Sequence, residues 1–186
     1  MIKSDVQLDA KGLVCPMPIV KTKKAMNNIE EGQVLEIQAT DKGSVADLAA
    51  WSKTVGHQYI GSNEVDGVFY HYIRKCNPEM SEAAEKSYEQ TISNEDAVKE
   101  GGLILDVREA AEYAFGHIPG AKSIPMGELA TRIDELDKDE TIYVICRTGT
   151  RSDLAAKQLA EAGFTKVYNV LPGMTGHEGA LQKEIE

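Results

Sequence analysis

No segment of this 186-residue chain approaches the roughly 20 uninterrupted apolar residues that a membrane span requires, so no membrane is expected. Basic residues are also short. Against 30 Asp and Glu there are 20 Lys and Arg, a formal charge of −10, which excludes nucleic acid as the main partner for want of cations to neutralise phosphate. Cysteine is scarce and odd in number: three thiols at spacings that fit neither a disulfide framework nor a zinc site, so no metal is expected. The N-terminal MIKSDVQLDAKG lacks the apolar core of a secretory leader, which makes a cytoplasmic chain the expectation. Internal repeats and low-complexity tracts are missing too. What is present is 42% hydrophobic residues, enough for a buried core, and a length that suits one large domain or two small ones.

Charge divides the chain. Residues 1–76 balance nine basic against nine acidic residues, so the whole net charge falls on 77–186. The break is the polar, Glu-rich NPEMSEAAEKSYEQ, which opens with the turn-forming Asn77-Pro78 and reads as a linker over 77–90, helical or flexible, with Ser81 as a candidate cap. Two domains are expected, 1–76 and 91–186. In the first, strands at Val6–Leu8, Val34–Ala39 (period two, half-buried), His57–Gly61 and Val68–Ile73 alternate with helices at Pro16–Asn28 and Ser44–Thr54. The order βαβαββ predicts a two-layer sandwich with its helices on one face. In the second, the apolar runs at 103–106, 123–124, 141–145 and 166–170 alternate with helices at 94–100, 109–115, 127–136 and 152–162. That rhythm predicts an α/β domain whose parallel sheet is covered on both faces. Ligands of such sheets sit at the carboxyl ends of the strands.

The first candidate site falls at such an end. Cys146 follows TIYVI and opens Cys146-Arg147-Thr148-Gly149-Thr150-Arg151 ahead of a helix. A strand–loop–helix turn there points backbone N–H groups at the sulfur, and the helix terminus favours negative charge. With Arg147 and Arg151 nearby, the thiol is expected to ionise in the reactive range of about 3.5–7.5. Gly149 lets the backbone curl around a ligand on the sulfur.

This segment, with Leu105-Asp106-Val107-Arg108-Glu109 and Gly116-His117-Ile118-Pro119-Gly120-Ala121 upstream, resembles a single-domain rhodanese, a sulfurtransferase, across Thr91–Glu186. The resemblance implies that Cys146 is nucleophile and persulfide carrier, and that residues Arg147 to Arg151 (Thr148, Gly149 and Thr150 included) cradle the outer sulfur. It also implies that Asp106 and Arg108 brace the loop from a neighbouring strand end. His117 and Pro119 read as a structural turn. Related phosphatases of that fold use Cys-x5-Arg. The shorter Cys-x4-Arg here suits one sulfur atom and disfavours a phosphatase or arsenate reductase. The family's usual Gly-Gly and tryptophan ending is replaced by Leu171-Pro172-Gly173-Met174-Thr175-Gly176-His177.

Cys15 lies in Gly12-Leu13-Val14-Cys15-Pro16-Met17-Pro18. Pro16 fits a first helical turn, which puts Cys15 at a helix N-terminus near unpaired donors. Lys21, Lys23 and Lys24 give that helix a basic face for an acidic partner. LDAKGLVCPMP, with Ala39-Thr40-Asp41, resembles the TusA/SirA-like sulfur-carrier family over Val6–Lys75, which implies that Cys15 accepts and donates a persulfide. Cys76 has no helix start, Gly loop or close His in sequence and reads as an incidental thiol or a resolving partner for Cys15. His57 and His71 read as satisfied strand residues, Trp51 and Met26 as core.

Joined, the two parts predict a sulfurtransferase. A donor such as thiosulfate loads Cys146 as a persulfide, with Cys146, Arg151 and Cys15 as the catalytic set. The sulfur then passes to thiol acceptors, Cys15 among them, with no cofactor beyond the cysteine persulfide. The linker holds the two thiols at an effective concentration of about millimolar. The partners expected are a small sulfur donor, a thiol or protein acceptor, and a cysteine desulfurase if flow runs the other way. The alternative is a non-catalytic module that stores persulfide or forms a regulatory disulfide.

Overall fold

The computed structural model describes residues 2–77 and 85–185 and divides into two compact units, one within Met1–Ala83 and one over Ala84–Glu184. The N-terminal unit runs β1 (Val6–Asp9), α1 (Met17–Asn28), β2 (Val34–Ala39), α2 (Ser44–Val55), β3 (Gln58–Val65) and β4 (Val68–Arg74). Its sheet has the order β1-β2-β4-β3, with β1 parallel to β2 and the remaining pairs antiparallel. The last two strands form a hairpin across Asp66-Gly67, residues that supply the left-handed backbone such a turn requires. Met26, Leu35, Ile37, Leu48 and Ile73 form the core, with Trp51 and Tyr59 packed against it.

The helical periodicity of α1 places Ile19, Val20 and Met26 on one stripe, but the structure buries Met26 and leaves Val20 exposed, with Thr22 inward instead. The Thr22 hydroxyl donates to the Pro18 carbonyl at 2.8 Å, so its burial leaves no polar group unmet. The expected half-burial of β2 is also corrected. Glu36, on the face opposite Leu35 and Ile37, is fully buried, with its carboxylate taking hydrogen bonds from Gln38 Nε2 at 2.9 Å and Ser4 Oγ at 3.4 Å. His71 is buried as well and bonded at both ring nitrogens, to Ser44 Oγ and Tyr59 Oη, each at 2.9 Å. Because Ser44 Oγ donates to the Asp41 carbonyl, it accepts from His71 Nε2–H, and Nδ1 then accepts from Tyr59.

The second unit runs β5 (Thr91–Ser93), α3 (Asn94–Glu100), β6 (Leu103–Asp106), α4 (Ala110–Phe115), β7 (Lys122–Ser123), α5 (Leu129–Arg132) between two 3-10 turns, β8 (Ile142–Ile145), α6 (Thr150–Glu161) and β9 (Val167–Leu171). All strands pair in parallel in the order β5-β9-β8-β6-β7. Alternate residues feed opposite faces. Leu105, Ile142, Val144 and Val167 pack with Leu129 and Leu159 on one side, whereas Ile104, Tyr143, Ile145 and Val170 pack with Ala97 and Ile118 on the other. β8 lies at the centre and is buried throughout, so its carboxyl end is the most enclosed point of the sheet edge.

Two sequence expectations change here. The helix expected at 127–136 is broken into short 3-10 and α turns. The linker expected over 77–90 ends early, because residues 85–90 dock on the second unit: Tyr88 N donates to Asp153 Oδ1 at 2.8 Å, Tyr88 Oη to the Val167 carbonyl at 3.0 Å, and Asn169 N to the Gln90 carbonyl at 2.8 Å. Residues 85–90 are not helical, and the candidate cap Ser81 lies outside the described residues.

Candidate active site

Cys146 follows the last residue of β8 and is 1% exposed. Its Sγ accepts the Gly149 amide at 3.1 Å and lies 3.2 Å from Ser152 Oγ. The chain between them turns tightly. Gly149 has φ +92°, and a Cβ there would overlap Leu171 Cδ2, so both backbone angle and space require glycine. Among the described residues, the amides of Arg147, Thr148, Thr150 and Arg151 donate to no protein acceptor. Arg147 and Thr148 are exposed, Thr150 and Arg151 partly so. The loop therefore carries unspent donors beside the one that already meets the sulfur.

The two arginines differ in employment. Arg151 is bound bidentately by Glu112, at 2.7 and 3.0 Å, with Glu109 at 3.9 Å. Burial works against its charge, but Glu112 outweighs that and holds the guanidinium above its ordinary value. Its cation is thus paired to Glu112 on α4. Arg147 is exposed and makes no ion pair among the described residues. Asp106 and Arg108, expected to brace the loop, bond to each other and to the Gly116 carbonyl rather than to the loop. They are buried and paired to each other, Nη2–Oδ2 at 2.6 Å, and Arg108 Nη2 donates to the Gly116 carbonyl at 2.8 Å. A charge removed from water needs a partner at hand, and the pair meets that need while fixing the turn that leads to His117. His117 is buried there, stacked on Tyr113 at 3.6 Å between ring centroids, as a structural turn requires.

The loop's other flank is held by the segment after β9. Met174 N donates to the Cys146 carbonyl at 2.8 Å, and Thr175 N and Oγ1 both donate to that of Arg147 at 3.0 Å. Asn94 Nδ2 donates to the Gly173 carbonyl at 2.8 Å, and Asn169 Nδ2 to that of Gly149 at 3.2 Å. Ser152, Glu112, Asn94 and Asn169 were not singled out from sequence. Only the first two left a local signal, Ser152 as the residue after the loop arginine and Glu112 as the third residue of the box that caps α4.

Cys15 departs from expectation. It is exposed just before α1, but no backbone amide donates to its sulfur among the described residues. Instead Asp47 on α2 acts on it as acceptor, without the geometry of a fully formed hydrogen bond. With some desolvation, the Asp47 charge and Asp41, this pushes the thiol's pKa up. The surroundings expected to favour a Cys15 anion thus include carboxylates that disfavour it. Val14, Met17 and Val20 stand exposed on and before α1, and Lys21, Lys23 and Lys24 are exposed along it. Cys76 has partners after all: Arg74 Nη1 donates to its sulfur at 3.4 Å and His57 Nδ1 lies 3.2 Å from its carbonyl. Among the described residues no group of His, Cys, Asp and Glu could hold a metal ion, and no helix is long and apolar enough to cross a membrane.

Two family descriptions match the chain, Sulfurtransferase TusA over residues 6–75 and Rhodanese-like domain over 84–180. YrkF of Bacillus subtilis is 46% identical over 189 residues, covering 98% of this chain and all of its own. The sulfur carrier protein TusA of Allochromatium vinosum is 45% identical over 75 residues, 40% of this chain and 99% of its own. The thiosulfate sulfurtransferase GlpE of Pseudoalteromonas translucida is 35% identical over 88 residues, 47% of this chain and 84% of its own.

Proposed function

The chain belongs to the sulfur-transfer proteins that join a TusA unit to a rhodanese-like domain, and on that premise we propose that Cys146 carries sulfane sulfur and passes it to thiol acceptors, Cys15 among them. The Cys146 thiolate attacks the outer sulfur of a donor such as thiosulfate. The donor's S–S bond breaks, sulfite leaves with the electron pair, and Cys146 is left as a persulfide whose terminal sulfur carries the charge. The loop amides of Arg147, Thr148, Thr150 and Arg151 suit that charge, because each is an unspent donor. An acceptor thiolate then attacks the terminal sulfur, and Cys146 leaves as thiolate. With Cys15 as acceptor, the new persulfide stands on the exposed start of α1, where a protein acceptor reaches it; with flow reversed, a cysteine desulfurase loads Cys15 there. No cofactor enters either step.

The observation that carries this reading is the Gly149 amide donating to Cys146 Sγ at 3.1 Å, in a loop whose other amides make no protein hydrogen bond among the described residues. Intact-mass measurement after thiosulfate treatment tests it. The wild-type chain gains one sulfur atom, Cys146→Ser gains none at all, and Cys15→Ala retains the sulfur on Cys146 but loses onward delivery to a protein acceptor. Sulfur gained normally by Cys146→Ser rejects the first step, and unchanged delivery by Cys15→Ala rejects the relay.

A further inference from the structure

We infer that Lys86 is a specificity-determining cation of the Cys146 loop, one that selects anionic sulfur donors. The inference rests on the persulfide reading above and names the residue that supplies the charge. Sequence places Lys86 in the linker. In the structure, a Cβ built on Gly149 would stand 3.3 Å from both Cε and Nζ of Lys86, so the ammonium lies directly against the loop residue whose amide meets the Cys146 sulfur.

That position is anchored on both sides. Tyr88 N donates to Asp153 Oδ1 at 2.8 Å, the Ser87 amide supports the same carboxylate, and Tyr88 Oη donates to the Val167 carbonyl. Asn169 ties the segment to the loop in one residue: its backbone N donates to the Gln90 carbonyl at 2.8 Å and its Nδ2 to the Gly149 carbonyl at 3.2 Å. Asp153 and Asn169 are themselves buried, so the segment is held by groups in the interior while Lys86 is exposed.

The charges around the loop decide what this accomplishes. Arg151 is neutralised by Glu112, with Glu109 nearby, so it contributes little net attraction to an incoming anion. Two cations make no ion pair among the described residues, Arg147 on the loop and Lys86 beside it. A dianion such as thiosulfate, approaching a sulfur that must itself be ionised to react, needs that attraction to offset like-charge repulsion. Arg147 alone would leave the approach close to balanced once the thiolate forms, and Lys86 tips it towards the anion.

The experiment follows sulfur gain at Cys146 and sulfite release from thiosulfate in the full chain, at low and high sodium chloride, for wild type, Lys86→Gln and Lys86→Arg. Lys86→Gln is expected to lower the second-order loading constant about three- to tenfold at low salt, and to flatten its fall with salt. Lys86→Arg keeps both near wild type, which a packing role for the lysine stem would not distinguish from glutamine. Wild-type loading and salt dependence in Lys86→Gln overturn the inference, as does Lys86→Arg behaving like Lys86→Gln. A wild-type chain that gains no sulfur at Cys146 from thiosulfate overturns the persulfide reading itself, and this inference with it.

Discussion

Cys146 and Cys15 share a residue type and a place before a helix, yet their surroundings differ in sign. Cys146 meets an amide and a hydroxyl, whereas Cys15 meets the carboxylate of Asp47. A sulfur atom moves downhill to the thiol that binds it better as a persulfide, so such a difference bears on direction of flow. Replacing Asp47 by Asn removes the larger of the two carboxylate charges acting on the thiol and leaves only a neutral amide oxygen as acceptor. The Cys15 thiol pKa is then expected to fall, and the midpoint of its alkylation by iodoacetamide against pH moves down. An unmoved midpoint shows that Asp47 does not set the thiol's ionisation. None of this was legible in CPMP, because the helix start is local whereas Asp47 arrives from the next helix along. The same holds for Arg151. Its spacing from Cys146 is a sequence fact, but its pairing with Glu112 depends on how α4 meets α6.

The strand–loop–helix element places the sulfur at the carboxyl end of the central strand, and the segment after β9 locks it there. Gly173 has φ +88°, and a Cβ on it would stand 2.6 Å from the Cys146 carbonyl and 2.8 Å from that of Arg147. Gly173→Ala is therefore expected to push the two apart, to break the Met174 and Thr175 hydrogen bonds, and to destabilise the second unit by about 1–3 kcal/mol. Sulfur loading should fall more than tenfold with it. Gly127→Ala is the control, since nothing lies within 4 Å of a Cβ there. Equal loss in both variants, by thermal unfolding and by mass, would count against a clamp. This is also where the sequence was legible only as a departure: LPGMTG was recognisable as an unusual wall for the loop, but that its amides hold the loop's carbonyls needed the fold.

At the scale of the whole molecule the two units offer separate stability records, because Trp51 is the only tryptophan and lies in the N-terminal one. Burial lowers His71 there to about 4 from an ordinary value near 6.5. The unfolded chain takes up that proton near pH 6.5 and the folded unit only near pH 4. Stability from this group is therefore whole above pH 6.5 and lost as pH falls towards 4, on the order of 3 kcal/mol across the window. Urea midpoints followed by Trp51 fluorescence should drop in that range, and His71→Gln should flatten the drop. An identical profile in the variant would assign the effect to other groups. By itself the sequence determined the two-part division, the βαβαββ and parallel α/β patterns, and the two helix-start cysteines, because periodicity and turn chemistry are local along the chain. Only the tertiary structure decided which charges were spent. It paired Arg151 with Glu112 and Asp106 with Arg108, set Asp47 beside Cys15, and brought Lys86 from an apparent linker to Gly149. Electrostatic partners are chosen through space, between elements far apart in sequence, and a one-dimensional pattern carries no record of that distance.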